Sequence, residues 1–337
     1  MKIYKLLLVL LSGLILLSCG KPTNPESILP DDLSGGYKIV KVFPTFGYAQ
    51  DIVKIDSLLY IAQGQGGLMI ISVADPENPK TISSYTDEAR GYSTKVAVKD
   101  SVAYLAAGTF GITVIDAADP YFPLVAVSNL NMKPAREMHI MGNYMFTAIS
   151  EQGIKIAEIS FPSEPDVRGG ISTTGYAFGL TTTADSNYLL AACGEMGLSI
   201  FDISDFQEGF GIYRRIGWCD TPGSAEAIAL SEINSIAFLA CGTAGLQIID
   251  YSDTTNIHIV GSSDNGGYAK DLIYKNNRIY MTNELSGLQV IDVSDVTKPS
   301  LVGVIDSEYG LGLDMDDSYI YMADEVEGLI VIKIPEN

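Results

Sequence analysis

The stretch GLQIIDYSD at residues 245–253 returns almost unchanged as GLQVIDVSD at 287–295. Looser copies are GLMIISVAD (67–75), GITVIDAAD (111–119), GIKIAEISF (153–161), GLSIFDISD (197–205) and GLIVIKIPE (328–336). Their leading glycines recur with a period in the low forties, which restricts the chain to stacked repeats such as propeller blades or helical pairs. The residues inside the phrase decide between these two. Its second, fourth, fifth and seventh positions are mostly aliphatic and often β-branched. Successive strand residues point to opposite faces, so both faces are apolar, as in a strand buried between stacked sheets.

A second apolar strand precedes each phrase, as in Tyr60-Ile61-Ala62 and Phe238-Leu239-Ala240, and glycine-rich turns join the two. Further upstream lies GYAQDIVKI (47–55), echoed by GYSTKVAVK (91–99), GYAFGLTTT (175–183) and GYAKDLIYK (267–275). After each phrase come a polar turn and a more polar strand. Each unit therefore holds four antiparallel strands, a to d from the axis outward. Seven units predict an all-β, seven-bladed β-propeller. The last unit stops after its c strand, while YKIVKVFP (37–44) is a spare d strand at the start. Pairing the two closes the ring.

The core of the phrase, as in Leu246-Gln247-Ile248-Ile249-Asp250 and Leu288-Gln289-Val290-Ile291-Asp292, resembles the LVIVD repeat of bacterial and archaeal surface propellers. The resemblance covers residues from about 37 to the end. It implies an extracytoplasmic propeller with no shared catalytic residues. The third copy (Ala157-Glu158) and the last (Ile332-Lys333) depart most from the pattern.

The beginning of the chain is of another kind. Lys2 and Lys5 precede an apolar run over residues 6–17, too short for a comfortable membrane span but suited to a signal-peptide core. The run ends in Leu16-Leu17-Ser18-Cys19-Gly20, which resembles the bacterial lipobox. The resemblance implies a lipoprotein signal peptide at 1–18 and a lipidated Cys19 as the mature N-terminus. Residues 19–36, rich in Pro, Ser, Asp and Gly, are expected to be a flexible tether, with the propeller at 37–337. The chain is thus expected to be exported and lipid-anchored to the cell envelope, at an outer membrane or cell surface. Its formal net charge of −20 excludes nucleic acid as a partner, because such binding rests on neutralising phosphates.

No spacing carries chemistry. Aspartates recur at the sixth phrase position (Asp116, Asp202, Asp250, Asp292) and at the ninth (Asp75, Asp119, Asp205, Asp253, Asp295). At a strand end they read as turn-formers accepting backbone N–H bonds rather than as calcium ligands. His139 and His258 fall in different blades without a zinc or triad spacing, so no metal or cofactor is expected. Cys193, Cys219 and Cys241 leave open whether Cys219 pairs with either of the others.

The candidate binding face is where the d-to-a connections and b-to-c turns emerge together. It receives Tyr48, Tyr92, Tyr176, Tyr268 and Tyr309, which either bind a ligand or pack as wedges between blades. Two residues beyond each, the units differ: Gln50, Thr94, Arg136, Phe178, Glu226, Lys270 and Leu311. Variation at the mouth of a constant scaffold is where specificity resides. The longest interval, between Gly197 and Gly245, implies an insertion, which RRIGWCDTPG with Trp218 is expected to add to this face. The expected function is a binding or scaffold module for a protein or polysaccharide partner. The rival is a propeller enzyme acting on carbohydrate polymers, although the varying rim position offers only one carboxylate, Glu226, where glycosidases need two.

Overall fold

A computed structural model describes residues 33–85, 91–206, 213–231 and 234–336. The expected signal peptide, the expected lipidation site Cys19 and the expected tether up to residue 32 lie outside the described residues. From Ser34 onward the chain forms one compact unit. Among the described residues no helix is long and apolar enough to cross a membrane.

The unit is a seven-bladed β-propeller of four-stranded antiparallel sheets. Blade one is β2 (Asp51–Ile55), β3 (Leu58–Ala62), β4 (Leu68–Ser72) and β5 (Lys80–Tyr85). Blade two is β6 (Lys95–Lys99), β7 (Val102–Ala106), β8 (Ile112–Asp116) and β9 (Leu124–Leu130). Blade three is β10 (Glu137–Met141), β11 (Tyr144–Ala148), β12 (Ile154–Glu158) and β13 (Asp166–Ile171). Blade four is β14 (Gly179–Thr182), β15 (Tyr188–Ala192), β16 (Leu198–Asp202) and β17 (Arg214–Cys219). Blade five is β18 (Ala227–Leu230), β19 (Ile236–Ala240), β20 (Leu246–Asp250) and β21 (His258–Ser263). Blade six is β22 (Ala269–Lys275), β23 (Arg278–Asn283), β24 (Gly287–Asp292) and β25 (Ser300–Ile305). Blade seven is β26 (Gly310–Met315), β27 (Tyr319–Asp324) and β28 (Gly328–Lys333), completed by β1 (Lys38–Phe43). The spare N-terminal strand therefore closes the ring, with Lys38 opposite Lys333 and Phe43 opposite Leu329.

The two-faced phrase explains the packing. In β4, Leu68, Met69, Ile70 and Ile71 are all buried although they point alternately to opposite sides. Apolar clusters fill the gaps between successive blades. Leu59, Ile61, Met69 and Ile71 meet Tyr321, Leu329 and Val331 between blades one and seven, and Leu190, Ile200, Leu239 and Ile249 meet between blades four and five. Each fully buried aliphatic side chain contributes about 1.5–3 kcal/mol. All seven blades carry a register shift at the same place in the c–d pairing, as at Ile70/Ile71 and Ile248/Ile249, which adds twist between c and d.

Blades are also latched edge to edge. In blade one, Gly64 in the b-to-c turn bridges Ser93 in the next d-to-a connection, and Gly108–Ala135, Ser150–Ala177, Gly194–Ala225 and Gly242–Ala269 repeat the device. Gly64 has φ +58°, and an added Cβ would lie 2.7 Å from the Tyr92 ring. Glycine is needed here for both the turn and the space.

The c-strand aspartates are turn-formers. Asp116, Asp202, Asp250 and Asp292 each accept the backbone N–H two residues on, and Asp75, Asp119, Asp253 and Asp295 do the same one turn later. Cys193, Cys219 and Cys241 are free, buried thiols.

Candidate functional site

The innermost strands carry the side chains that meet at the axis, and alternation along strand a sets two levels. At the mouth, Gln50, Thr94, Arg136, Phe178, Glu226, Lys270 and Leu311 all line one cavity of about 280 Å³. These are the seven positions that vary between the repeats. A larger groove of about 620 Å³ lies among blades four to six, but Asp185 is its one charged lining residue. A groove of about 430 Å³ between blades six and seven is also charged, with Lys275, Arg278, Asp292, Asp316, Asp317 and Lys333 in its lining, but it contains none of the varying rim positions.

The residue after each rim position forms the floor. Lys95 of β6 faces Asp51 of β2 at 3.3 Å, Glu137 of β10 at 3.4 Å and Asp271 of β22 across the pore at 2.5 Å. Gly179 and Gly312 take the equivalent places in blades four and seven; a Cβ on Gly312 would collide with Asp51, and one on Gly179 with the backbone of Glu226 and Ala227. Burial pushes the Asp51 carboxyl up to about 7 against the pull of Lys95, and Asp271 and Glu137 push it the same way. Burial also raises Glu137. At Lys95 burial works against the charge, but Asp271, Asp51 and Glu137 outweigh it and hold the ammonium well above the ordinary lysine range. The floor is one fixed cation facing three carboxylates.

Two residues of the wall come from b-to-c turns, and a third, Ser150, supports it from behind. The latch position is glycine in four blades (Gly64, Gly108, Gly194, Gly242) but Ser150, Glu284 and Glu325 in blades three, six and seven. Glu284 and Glu325 line the cavity. Ser150 keeps the left-handed φ of +54° without being glycine, and its Oγ accepts a bond from Arg136 Nε at 3.0 Å. Strain of this kind persists where the surroundings hold it in place.

The tyrosines sit one shell outward, and most act through the glutamates. Tyr268 donates to Glu226 at 2.8 Å, Tyr309 to Glu284 at 3.0 Å and Tyr92 to Glu325 at 3.2 Å. Of the five, only Tyr309 lines the cavity. Burial pushes the Tyr92 phenol up to about 12, with Glu325 adding to it, and burial and Glu226 raise Tyr268 further. Both therefore remain donors. The Tyr92 and Tyr268 rings lie against Gly64 and Gly242, so they are also wedges. Tyr48 and Tyr176 stay half-exposed, and Tyr176 stacks with Phe178 at 6.4 Å. Ser224, in the place of the tyrosine in blade five, donates to Glu226 at 2.9 Å.

Trp218 is not at this mouth. It lies on β17, the outermost strand of blade four, opposite Ser199. The extra length of that repeat lies instead in the β16–β17 connection, 203–213 against 73–79 in blade one, and in the β18–β19 hairpin. Both belong to the face opposite the cavity, so the expectation that the insertion enlarges the mouth is corrected.

His139 lies two residues below Glu137 on β10, with Nε2 2.9 Å from Thr182 Oγ1. Burial lowers it to about 4. His258 is exposed at the start of β21. Among the described residues no group of His, Cys, Asp or Glu is arranged to hold a metal.

Asp51 and His139 oppose each other in pH. Between about pH 4 and 7 the unfolded chain loses a proton that folded Asp51 keeps, so stability falls as pH rises. Between about pH 6.5 and 4 the unfolded chain gains a proton that folded His139 refuses, so stability falls as pH drops. At its limit the Asp51 shift is worth roughly 4 kcal/mol and the His139 shift roughly 3 kcal/mol. Asp51→Asn should leave stability rising with pH across the shared window, and His139→Gln should leave it falling. Urea denaturation at stepped pH reads both slopes, and parallel profiles would contradict the assignment.

Comparison with known families gives the repeat an independent identity. Residues 46–87, 134–173, 222–265 and 266–307 match the LVIVD repeat. The chain carries LVIVD repeats. The matches fall on blades one, three, five and six, and include the third LVIVD copy despite its departure at Ala157-Glu158. No curated protein sequence matches the chain. Among solved structures, the crystal structure of the computationally designed Ika8 protein is similar, with a TM-score of 0.63 and 11% identity, over 89% of this chain and 100% of that one. At that identity the likeness concerns the fold.

Proposed function

We propose that this LVIVD-repeat propeller is a cell-envelope lipoprotein whose axial cavity binds a ligand or partner. One observation carries the binding reading. The residues that fail to repeat, at the rim position and in the b-to-c turns, converge on a single cavity, while the repeating residues pack blades or form turns. Convergent polar groups in a concave site on a rigid scaffold are the usual form of a recognition site. The lipobox-like Leu16-Leu17-Ser18-Cys19 supports the anchor. β1 begins beside Lys333, on the face opposite the cavity.

The test is fractionation with capture from envelope extracts. Wild type should sediment with membranes and carry acyl chains on Cys19 by mass spectrometry, and Cys19→Ala should become soluble or remain unprocessed. Glu284→Gln and Arg136→Gln should weaken capture of an envelope component without moving the melting temperature. Capture indifferent to both variants would remove the binding reading.

A second reading has one observation in its favour. Glu226 and Glu284 both approach Lys270 Nζ, at 3.4 and 3.7 Å, so the mouth brings together more carboxylates than the rim position alone supplies. Glycoside hydrolysis uses such pairs. Turnover of envelope polysaccharides that Glu226→Gln abolishes would establish it in place of the binding module.

A further inference from the structure

The cavity is polarised, and its two walls ask for opposite charges. On the side of blades three and four stands Arg136. Its Nε is held by Ser150, and its guanidinium lies 5.7 Å from the Phe178 ring centroid. It makes no ion pair among the described residues, in a chain where acidic residues outnumber basic ones 41 to 21. A guanidinium presents five donors in a planar fork suited to a carboxylate, and among the described residues one of these is engaged. Across the ring, blades five to seven present Glu226, Glu284 and Glu325, each oriented by a tyrosine hydroxyl. Lys270 offsets two of them only in part, at 3.4 and 3.7 Å.

A simple anion would suit Arg136 but meet the glutamates. A simple cation would suit the glutamates and leave the guanidinium unmatched. Lys95 in the floor does not alter this balance, because Asp51, Glu137 and Asp271 already surround it. Between the charged walls, Phe178 and Leu311 supply apolar surface. A volume of about 280 Å³ lies at the small end of ligand cavities, roughly 300–1,000 Å³ for drug-sized molecules.

We infer that the axial cavity binds a small aminocarboxylate with an apolar side chain: its carboxylate on Arg136, its ammonium among Glu226, Glu284 and Glu325, and its side chain against Phe178 and Leu311. This rests on the binding reading above and gives it a ligand class. Ser150 follows from the same arrangement. It tolerates a left-handed backbone at a latch position where four blades use glycine, and its hydroxyl fixes the guanidinium in place.

Isothermal titration of the folded protein with L-leucine, L-phenylalanine and glycyl-L-phenylalanine tests this. At least one should bind saturably, one to one. Its N-acetyl form, which lacks the ammonium, and its amide, which lacks the carboxylate, should each bind at least tenfold more weakly. Arg136→Gln should cost at least tenfold for the parent ligand and leave the melting temperature in place, since the side chain is exposed at the rim. Ser150→Gly should cost severalfold while relieving the backbone, so weaker binding would accompany equal or higher stability. No binding by any of the three, or blocked forms binding as well as the parent, would overturn the inference. If the inference fails while envelope capture still depends on Arg136 and Glu284, the cavity is a binding site for another ligand class. If capture is also indifferent, the binding reading itself falls.

Discussion

Deleting residues 37–44 should abolish the cooperative unfolding transition of the ring. Among the described residues β1 is the only partner of the outer edge of β28, so its loss exposes a row of unpaired N–H and C=O groups in a closed fold that otherwise pairs every c strand. Tyr37 goes with it. That residue is buried, receives a bond from Arg278 Nη1 at 2.9 Å, and packs edge-on against Tyr280 with centroids 6.1 Å apart. It therefore ties blade seven to blade six as well as to the first residues of the ring. Because the truncated chain is not expected to fold, Tyr37→Ala provides a graded measure. It should lower stability by about 3–5 kcal/mol, the usual cost of truncating a buried aromatic, with the transition still cooperative. Calorimetry and urea denaturation read both changes. A truncated chain melting cooperatively at the wild-type temperature would show that ring closure is dispensable.

The same strand shows why the architecture was legible in the sequence. The phrase around Leu246–Asp250 is apolar on both strand faces, which only stacked sheets can satisfy, and YKIVKVFP supplies the one strand that the last repeat lacks. Arg136, Phe178 and Glu226 were legible for the opposite reason: they differ at a position whose surroundings stay constant. Glu284 and Glu325 are harder to see in the sequence because they lie in the b-to-c turn. Their one signal is the absence of the glycine found at Gly64, Gly108, Gly194 and Gly242, and a glycine-rich turn position points first to backbone conformation rather than to a site. Trp218 was misplaced because a repeat interval reports that residues have been added but not which of four connections holds them. The floor was missed by one residue. Asp51, Lys95, Glu137 and Asp271 directly follow the rim positions in the sequence, but their charges become mutual partners only when blades one, two, three and six meet around one axis.

That floor gives the second large expectation. Lys95→Met should destabilise the ring by roughly 3–5 kcal/mol, because removing one partner of a buried ionic cluster leaves uncompensated charge. The methionine retains most of the aliphatic stem, so the loss is chiefly electrostatic. Three carboxylates would then face one another around the pore without a cation, two of them already raised by burial in the wild type. Their response to pH separates this from a packing defect. Carboxyls held above their unfolded values keep protons that the unfolded chain has released, so stability falls as pH rises through that range. The deficit of Lys95→Met should therefore be largest near pH 8 and shrink toward pH 5, as the raised carboxyls of Asp51 and Glu137 take up protons. A second substitution, Asp271→Asn, should recover part of the loss in the Lys95→Met background while costing stability in the wild type, where it removes the closest partner of the ammonium. Such non-additivity is the mark of groups acting as one cluster. Urea midpoints at pH 5 and pH 8 for the four proteins of this cycle decide the matter. A loss independent of pH, or two substitutions that simply add, would mean that Lys95 holds the pore by packing rather than by charge.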